Sequence, residues 1–380
     1  MLRWAREQMG ISLAEVAHHF GRPDAIISAW EDGSQAPTYA QLEQLAYSLY
    51  KRPVAIFFFS EPPDEPVVRK SFRTLPDSAI EEMLADTRLA LRRASAMQIN
   101  LSELHQGRNP SRRIIFRSVK IDTTTTARSA AEMTRQFLGI SLSDQIQWGS
   151  AKVALDVWRD AVQECGIYVF KRSFRQEDFF GFCLMDEEFP IIYLNNSAAH
   201  SRQVFTLVHE LAHVILNVNS TTQPATLWPD KLVGDAKATE VFCNEFASEL
   251  IVPVGDFTNQ FDANISTEDL CAKLAKRYSV SREVIARKLL NQEKISKHKY
   301  ESLALRWTEE FEEQKKRQKE SGGGDYYATH ATYLGRKYLQ LAFSYYYSGR
   351  ITTAELASYL SVKARNVSGL EKFITERAPA

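Results

Sequence analysis

Cysteine is scarce in this chain: Cys165, Cys183, Cys243 and Cys271 are the four among 380 residues, and no two have paired spacing. That excludes a disulfide-stapled scaffold and fits buried thiols in a reducing cytosol. Long apolar runs are missing too. No stretch reaches the roughly 18 residues a membrane helix needs, and no basic-then-apolar signal segment follows Met1, so the expectation is a cytoplasmic protein without membrane contact. Net charge is also absent, with 47 Lys and Arg against 47 Asp and Glu. No global field therefore draws the chain to nucleic acid or to a membrane surface. Apolar residues make up 44% of the 380, enough for two or three cores.

Against this background, His209-Glu210-Leu211-Ala212-His213 stands out, set between Val204-Phe205-Thr206-Leu207-Val208 and Val214-Ile215-Leu216. Residues four apart on a helix share a face, separated by about 6 Å of rise. Two imidazoles so placed can bind one zinc ion, and Glu210 can reach water at the metal's open position. Val204, Val208, Leu211 and Ile215 form an apolar stripe that can pack on a core. The histidines are expected on an adjoining face that lines a cleft.

Zinc hydrolases usually take a third protein ligand from another element. The run from Ala238 to Val252 reads as a second helix, ended before Pro253. Glu240, Asn244 and Ala247 share one of its faces, while Glu245 and Glu249 share another that is expected to be wet. Glu240 is the best candidate for third ligand and Asn244 for a residue that orients a ligand. Spacing alone does not separate a ligand at Glu240 from an ordinary surface carboxylate.

The two runs Arg202–His213 and Glu240–Pro253 together resemble the ImmA/IrrE metallopeptidases, over roughly residues 150–295. In that family a glutamate heading the second motif is the third ligand, which implies the set His209, His213 and Glu240, with Glu210 as catalytic base. The resemblance implies an α+β, mostly helical protein of bacterial origin, with a zincin-like metallopeptidase core around a small β-sheet. Zinc is the expected cofactor, and manganese can occupy such a site.

Residues 1–60 form a second unit. Helices are expected over Met1–Met9, from Ser12, from about Asp24 to Gly33 and from Pro37-Thr38, with a turn at Gly21. Two short helices joined by a glycine turn are the helix-turn-helix plan. The string from Ser12 through Ile27-Ser28-Ala29-Trp30-Glu31-Asp32-Gly33 resembles the XRE repressor family, an all-α DNA-binding module. Arg22 and Ser28 are the DNA-facing candidates. Yet residues 1–60 hold five basic and six acidic side chains, and phosphate neutralisation is the main source of DNA affinity. Leu13 stands where a glutamine is expected. Partner contact or dimerisation is the competing use.

Residues 61–147 read as a helical basic connector. Positions 66–120 carry eleven Lys and Arg against five Asp and Glu. A helix from about Asp77 to His105 places Arg88, Arg92 and Arg93 close together, either as a solvated face or as a phosphate-contacting patch. The metallopeptidase core is expected over 148–295. It should contain a helix over 148–165 and strands near 166–170, 179–185 and 189–194. The last strand feeds the metal helix, and its edge, if free, could pair with an extended peptide. A polar loop from Asn217 to Asp235 is a candidate lid. Residues 296–325 read as a charged linker ending in Gly322-Gly323-Gly324, and 326–380 as a C-terminal helical module.

Two functions are consistent with these features. One is a zinc endopeptidase making a limited cut in a regulatory protein, a repressor or the product of an adjacent gene, coupled to transcription. The other is a DNA-binding regulator or antitoxin-like partner whose metal site is structural or vestigial. A homodimer fits either.

Overall fold

The structure, a computed structural model, describes residues 1–63, 83–122, 124–174, 176, 179–218, 220–222, 234–319 and 325–376. The chain divides into two compact units, Met1–Ala96 with Phe174–Gln176, and Met97–Ser173 with Glu177–Ala380. Among the described residues no helix is long and apolar enough to cross a membrane.

The first unit is built from α1 (Leu2–Gln8), α2 (Leu13–Phe20), α3 (Asp24–Asp32), α4 (Tyr39–Glu43) and the start of α5 (Ala85–Leu104), with a π-turn over Gln44–Leu49 and a 3-10 turn over Val54–Phe58. Ser12 opens α2 with a reciprocal cap. Its hydroxyl accepts from the Glu15 amide at 3.2 Å, and the Glu15 carboxylate accepts from the Ser12 amide at 2.7 Å. Gly21, left-handed at φ +58°, closes the helix. Met9, Val16, Ile27, Trp30, Leu45, Tyr50 and Leu89 fill the core. The Arg6 guanidinium clamps Glu31 at 2.6 and 3.0 Å.

Two of the three arginines of α5, Arg88 and Arg92, are bonded within this unit. Arg88 lies half-buried against Gly10 and donates to the Met83 carbonyl at 3.1 Å. Gly10 sits at φ +64°, and a Cβ there would fall 2.4 Å from Arg88 Nε, so the position needs glycine twice over. Arg92 donates to the Tyr50 and Lys51 carbonyls, where Lys51 turns the chain at positive φ. Arg93 is half-buried as well. Arg92→Ala is therefore expected to lower the stability of this unit by about 1 kcal/mol, because charge-assisted bonds to the partly exposed Tyr50 and Lys51 carbonyls are lost. Urea unfolding checks this. The same variant is expected to leave the salt dependence of any DNA binding unchanged. The rest of the connector's basic run, residues 64–82, lies outside the described residues.

The second unit is organised around one sheet. In chain order it comprises α6 (Ile115–Ser118), α7 (Ala127–Leu138), α8 (Leu142–Gln147), α9 (Ala151–Glu164), β1 (Tyr168–Arg172), β2 (Gly181–Leu184), β3 (Ile191–Asn195), α10 (His200–Ile215), β4 (Ser220–Thr222), α11 (Gly234–Ile251), α12 (Val254–Asn259), α13 (Thr267–Tyr278), α14 (Arg282–Asn291), α15 (Lys297–Lys319), α16 (Tyr326–Leu334), α17 (Arg336–Tyr347), α18 (Thr353–Tyr359) and α19 (Val367–Glu376). The strand order is β1-β3-β2-β4, with β1 parallel to β3 and the other pairs antiparallel. β3 is thus an interior strand, and its edge is not free.

Strand alternation sorts the two faces. Val169, Cys183, Ile192 and Leu194 join one core with α9, α10 and α11. On the other face Phe170, Tyr193 and Phe182 stack in a row, and Tyr338 of α17 meets Phe170 edge-on at 5.3 Å. The C-terminal module is part of this unit. Arg159 donates to Val169 O on β1 and to Thr332 O on α16, and Lys337 donates to Gln163 O at 2.6 Å. The expected flexible linker also needs correction. Residues Lys297–Lys319 form one helix, and its Tyr300, Leu303 and Trp307 are buried in the main core. Gly322–Gly324 lie outside the described residues.

Candidate metal centre

α10 runs through the middle of the unit, packed on β2, β3, α9 and α11. It is buried nearly all round from Gln203 to Ile215, not only along the Val204–Ile215 stripe. Gly181 permits the close approach on the sheet side, since a Cβ there would lie 2.6 Å from the Thr206 methyl and 2.7 Å from Tyr193 O. α11 is fixed at its end by neighbouring side chains. Gln145 donates to Ile251 O at 2.8 Å and to Tyr278 O at 3.0 Å, Arg135 donates to Leu250 O, and Lys288 pairs with Glu249 at 2.6 Å. Glu249 is accordingly a half-buried structural group, while Glu245 is exposed as expected.

This packing brings His209, His213 and Glu240 together, all of them buried. The two Nε2 atoms are 3.2 Å apart, His209 Nε2 is 3.3 Å from Glu240 Oε2, and His213 Nε2 is 3.4 Å from Glu240 Oε1. Bonds of about 2.0–2.1 Å to a tetrahedral zinc ion imply ligand–ligand edges of roughly 3.3 Å. The residues present therefore fit a zinc ion in both donor type and spacing. Two imidazole lone pairs facing each other and a carboxylate in a dry core need a cation or a proton among them.

The electrostatics follow. Burial would raise the Glu240 carboxyl, but hydrogen bonds with His209 and His213 outweigh it and hold the group at about 2. Burial works against charging His213, yet Cys243 and the Glu240 carboxylate lift it well above its ordinary value. Burial pushes the Cys243 thiol up, against the opposing pull of His213.

Glu210 is fully buried next to His209 and is not among the three converging donors. Asn244, half-buried, follows Glu240 by one turn on α11. Phe205 stacks on His209 with centroids 6.1 Å apart. The sequence reading passed over that contact, although the four-residue spacing carries its signal. Tyr193 and His200, polar groups near α10 in the sequence, stand away from the three donors. Tyr193 is stacked with Phe182 and Phe170 on the far face of the sheet. His200 begins α10, nine residues or about 13 Å of helix before His209. The expected lid falls mostly on residues 223–233, outside the described ones, and β4 takes up Ser220–Thr222.

In the first unit Arg22 is exposed and Ser28 is half-buried on α3. Arg6 is held by Glu31, and Arg52 is buried over the Trp4 ring at 4.1 Å.

No curated protein matches the chain significantly, but residues 162–290 match the family model Peptidase_M78, described as the IrrE N-terminal-like domain. The matched segment contains β1, the whole of α10 and all of α11, hence every residue of the converging donor set. The match supports the resemblance of this segment to the ImmA/IrrE metallopeptidases, whose family model it fits.

Proposed function

We infer that the chain is a zinc-dependent endopeptidase that makes a limited cut in a regulatory protein, a repressor or the product of an adjacent gene. The observation that carries this reading is the 3.2–3.4 Å triangle of His209, His213 and Glu240 donors with a separate buried carboxylate, Glu210, beside it. A zinc ion held there, or manganese in its place, supplies Lewis acidity toward the scissile carbonyl and lowers the pKa of water. The chain's own groups do the rest. Glu210 takes a proton from water and returns it to the leaving amine. Phe205 fixes the plane of the His209 ring, and Asn244 steadies the helix face that presents Glu240. The dry surroundings of Glu210 keep bulk water from competing for its proton.

An extended substrate segment would add to the sheet at β4, whose one neighbour among the described residues is β2. An edge strand reads an extended segment and rejects a folded core, which makes the cut a limited one. The first unit, an XRE-like helix-turn-helix, is proposed to hold a regulatory partner or a second copy. Arg6 and Arg52 are already engaged inside it, so few cations remain beside Arg22 for phosphates.

Mapping of new protein N-termini in cells tests the reading. Cells with the wild-type chain are expected to show one recurrent new terminus in a regulatory protein, absent with His213→Ala. Identical terminus maps in the two strains would remove the endopeptidase reading.

A further inference from the structure

The opposite end of the metal helix carries a separate concentration of positive potential. Lys171, next to last in β1, is 3% exposed. Strand alternation turns it, like Val169, toward the helices α9 and α10. Neither an ion pair nor a hydrogen bond to its Nζ is found among the described residues. A buried ammonium almost always has a partner, because desolvation penalises its charged form when none is supplied.

The surroundings add charge of the same sign. The turn after β3 is tied over the end of β1 by the Asn196 amide, which donates to Arg172 O at 2.9 Å, and α10 begins four residues later. Ala199 caps that helix without a side-chain bond, and its first turn holds no acidic residue. The amides of His200, Ser201 and Arg202 thus present the positive end of a 16-residue helix. His200 stands at the same place, its pKa lowered by burial and then by the Lys171 charge. From α9 come Arg159, whose donors are committed to Val169 O and Thr332 O, and Lys152. Asp156 is the acid facing this group from α9, and it is paired with Lys152 at 3.1 Å.

We propose that Lys171, His200 and the free amides at the start of α10 form a binding site for a tetrahedral oxyanion of the phosphate class. The anion would complete the cap of α10 and give Lys171 the partner it otherwise lacks. Lys152 forms the outer rim. The site is separate from the zinc donors, which lie more than two helical turns further along α10. Free phosphate and the phosphoryl group of a nucleotide share this chemistry.

Calorimetric titration of the full-length, zinc-loaded protein tests the site, with sulfate as a probe whose charge does not change between pH 6 and 8. Saturable 1:1 binding is expected, about tenfold tighter at pH 6 than at pH 8. Burial first, and Arg159 after it, push Lys171 down to about 7, so it goes from about 90% to about 10% protonated over that range. Lys171→Met is expected to weaken binding at least tenfold without lowering Tm, since an apolar chain of similar length replaces an unpaired buried charge. His200→Gln and Lys152→Ala are expected to weaken it severalfold, and they test the site even if the first variant does not fold. Titration with inorganic phosphate against ADP identifies the source: tighter phosphate marks a free-anion site and tighter ADP a nucleotide site. Absence of saturable sulfate binding at pH 6, or unchanged binding in Lys171→Met, would overturn the proposal.

Discussion

Glu210→Gln is expected to lower turnover of the protein substrate by about 10²–10⁴-fold, the usual contribution of a positioned base, while zinc content, fold and substrate binding stay as in the wild type. Glutamine has the shape of glutamate but cannot take the proton, and Glu210 is not one of the converging donors. His209→Ala and His213→Ala are expected to behave differently. Each removes one corner of a triangle with edges of 3.2–3.4 Å, so stoichiometric zinc is lost together with activity. Glu240→Ala is expected to weaken zinc strongly. Metal analysis and a cleavage assay on the same preparations separate the two effects.

This pair of outcomes also separates the two functional readings. A structural metal site has no need of a base, so a regulator with such a site would tolerate Glu210→Gln. If that variant matches wild type in both cleavage and regulatory output, the peptidase reading loses to the binding one. Full zinc in a variant lacking both histidines would remove the site itself. General peptides are weak tests, because the proposed edge-strand docking would select a substrate by more than its scissile bond.

The cluster of His209, His213 and Glu240 was legible in the sequence because most of its parts are local. His209, Glu210 and His213 lie within five residues, and helix period alone puts the histidines on one face. Glu240 needed the second motif as well, since nothing in its own surroundings marks a carboxylate as a ligand. The helix start at Ser12 and the turn at Gly21 were legible for the same reason: helix ends are set by short-range devices. The engagement of Arg88 and Arg92 was not legible, because charge along a helix says nothing about partners from elsewhere, here the carbonyls of Met83, Tyr50 and Lys51. The linker failed differently. Tyr300, Leu303 and Trp307 keep helical spacing, but the surrounding charges masked a stripe that the core absorbs. β3 could not be told from an edge strand, since its pairing with both β1 and β2 depends on residues far away in the chain.

Metal-free protein is expected to lose stability as pH rises above neutrality, and zinc to restore it most where the loss is greatest. His213 has a folded pKa well above its ordinary 6.5, so its contribution is fully present below that value and is lost as pH rises through the folded one. Glu240 has the opposite sign. Its carboxyl sits at about 2 against an ordinary 4.5, so its contribution is present above 4.5 and is lost as pH falls toward 2. The chelated protein should therefore be most stable between these limits, in mildly acidic solution, where a proton on His213 holds the three donors together. Once pH passes the folded value of His213 that proton leaves, and two lone-pair nitrogens face a carboxylate with nothing between them. Zinc takes the proton's place, and its affinity rises with pH because its ligands must be deprotonated. At 100 to 1,000 times its Kd the ion should add about 2.7–4.1 kcal/mol. Thermal unfolding with chelator and with zinc, from pH 5 to pH 9, measures both effects. The gap between the two curves should widen steadily with pH, and parallel curves across that range would mean that His213 and zinc do not compete for the same lone pair.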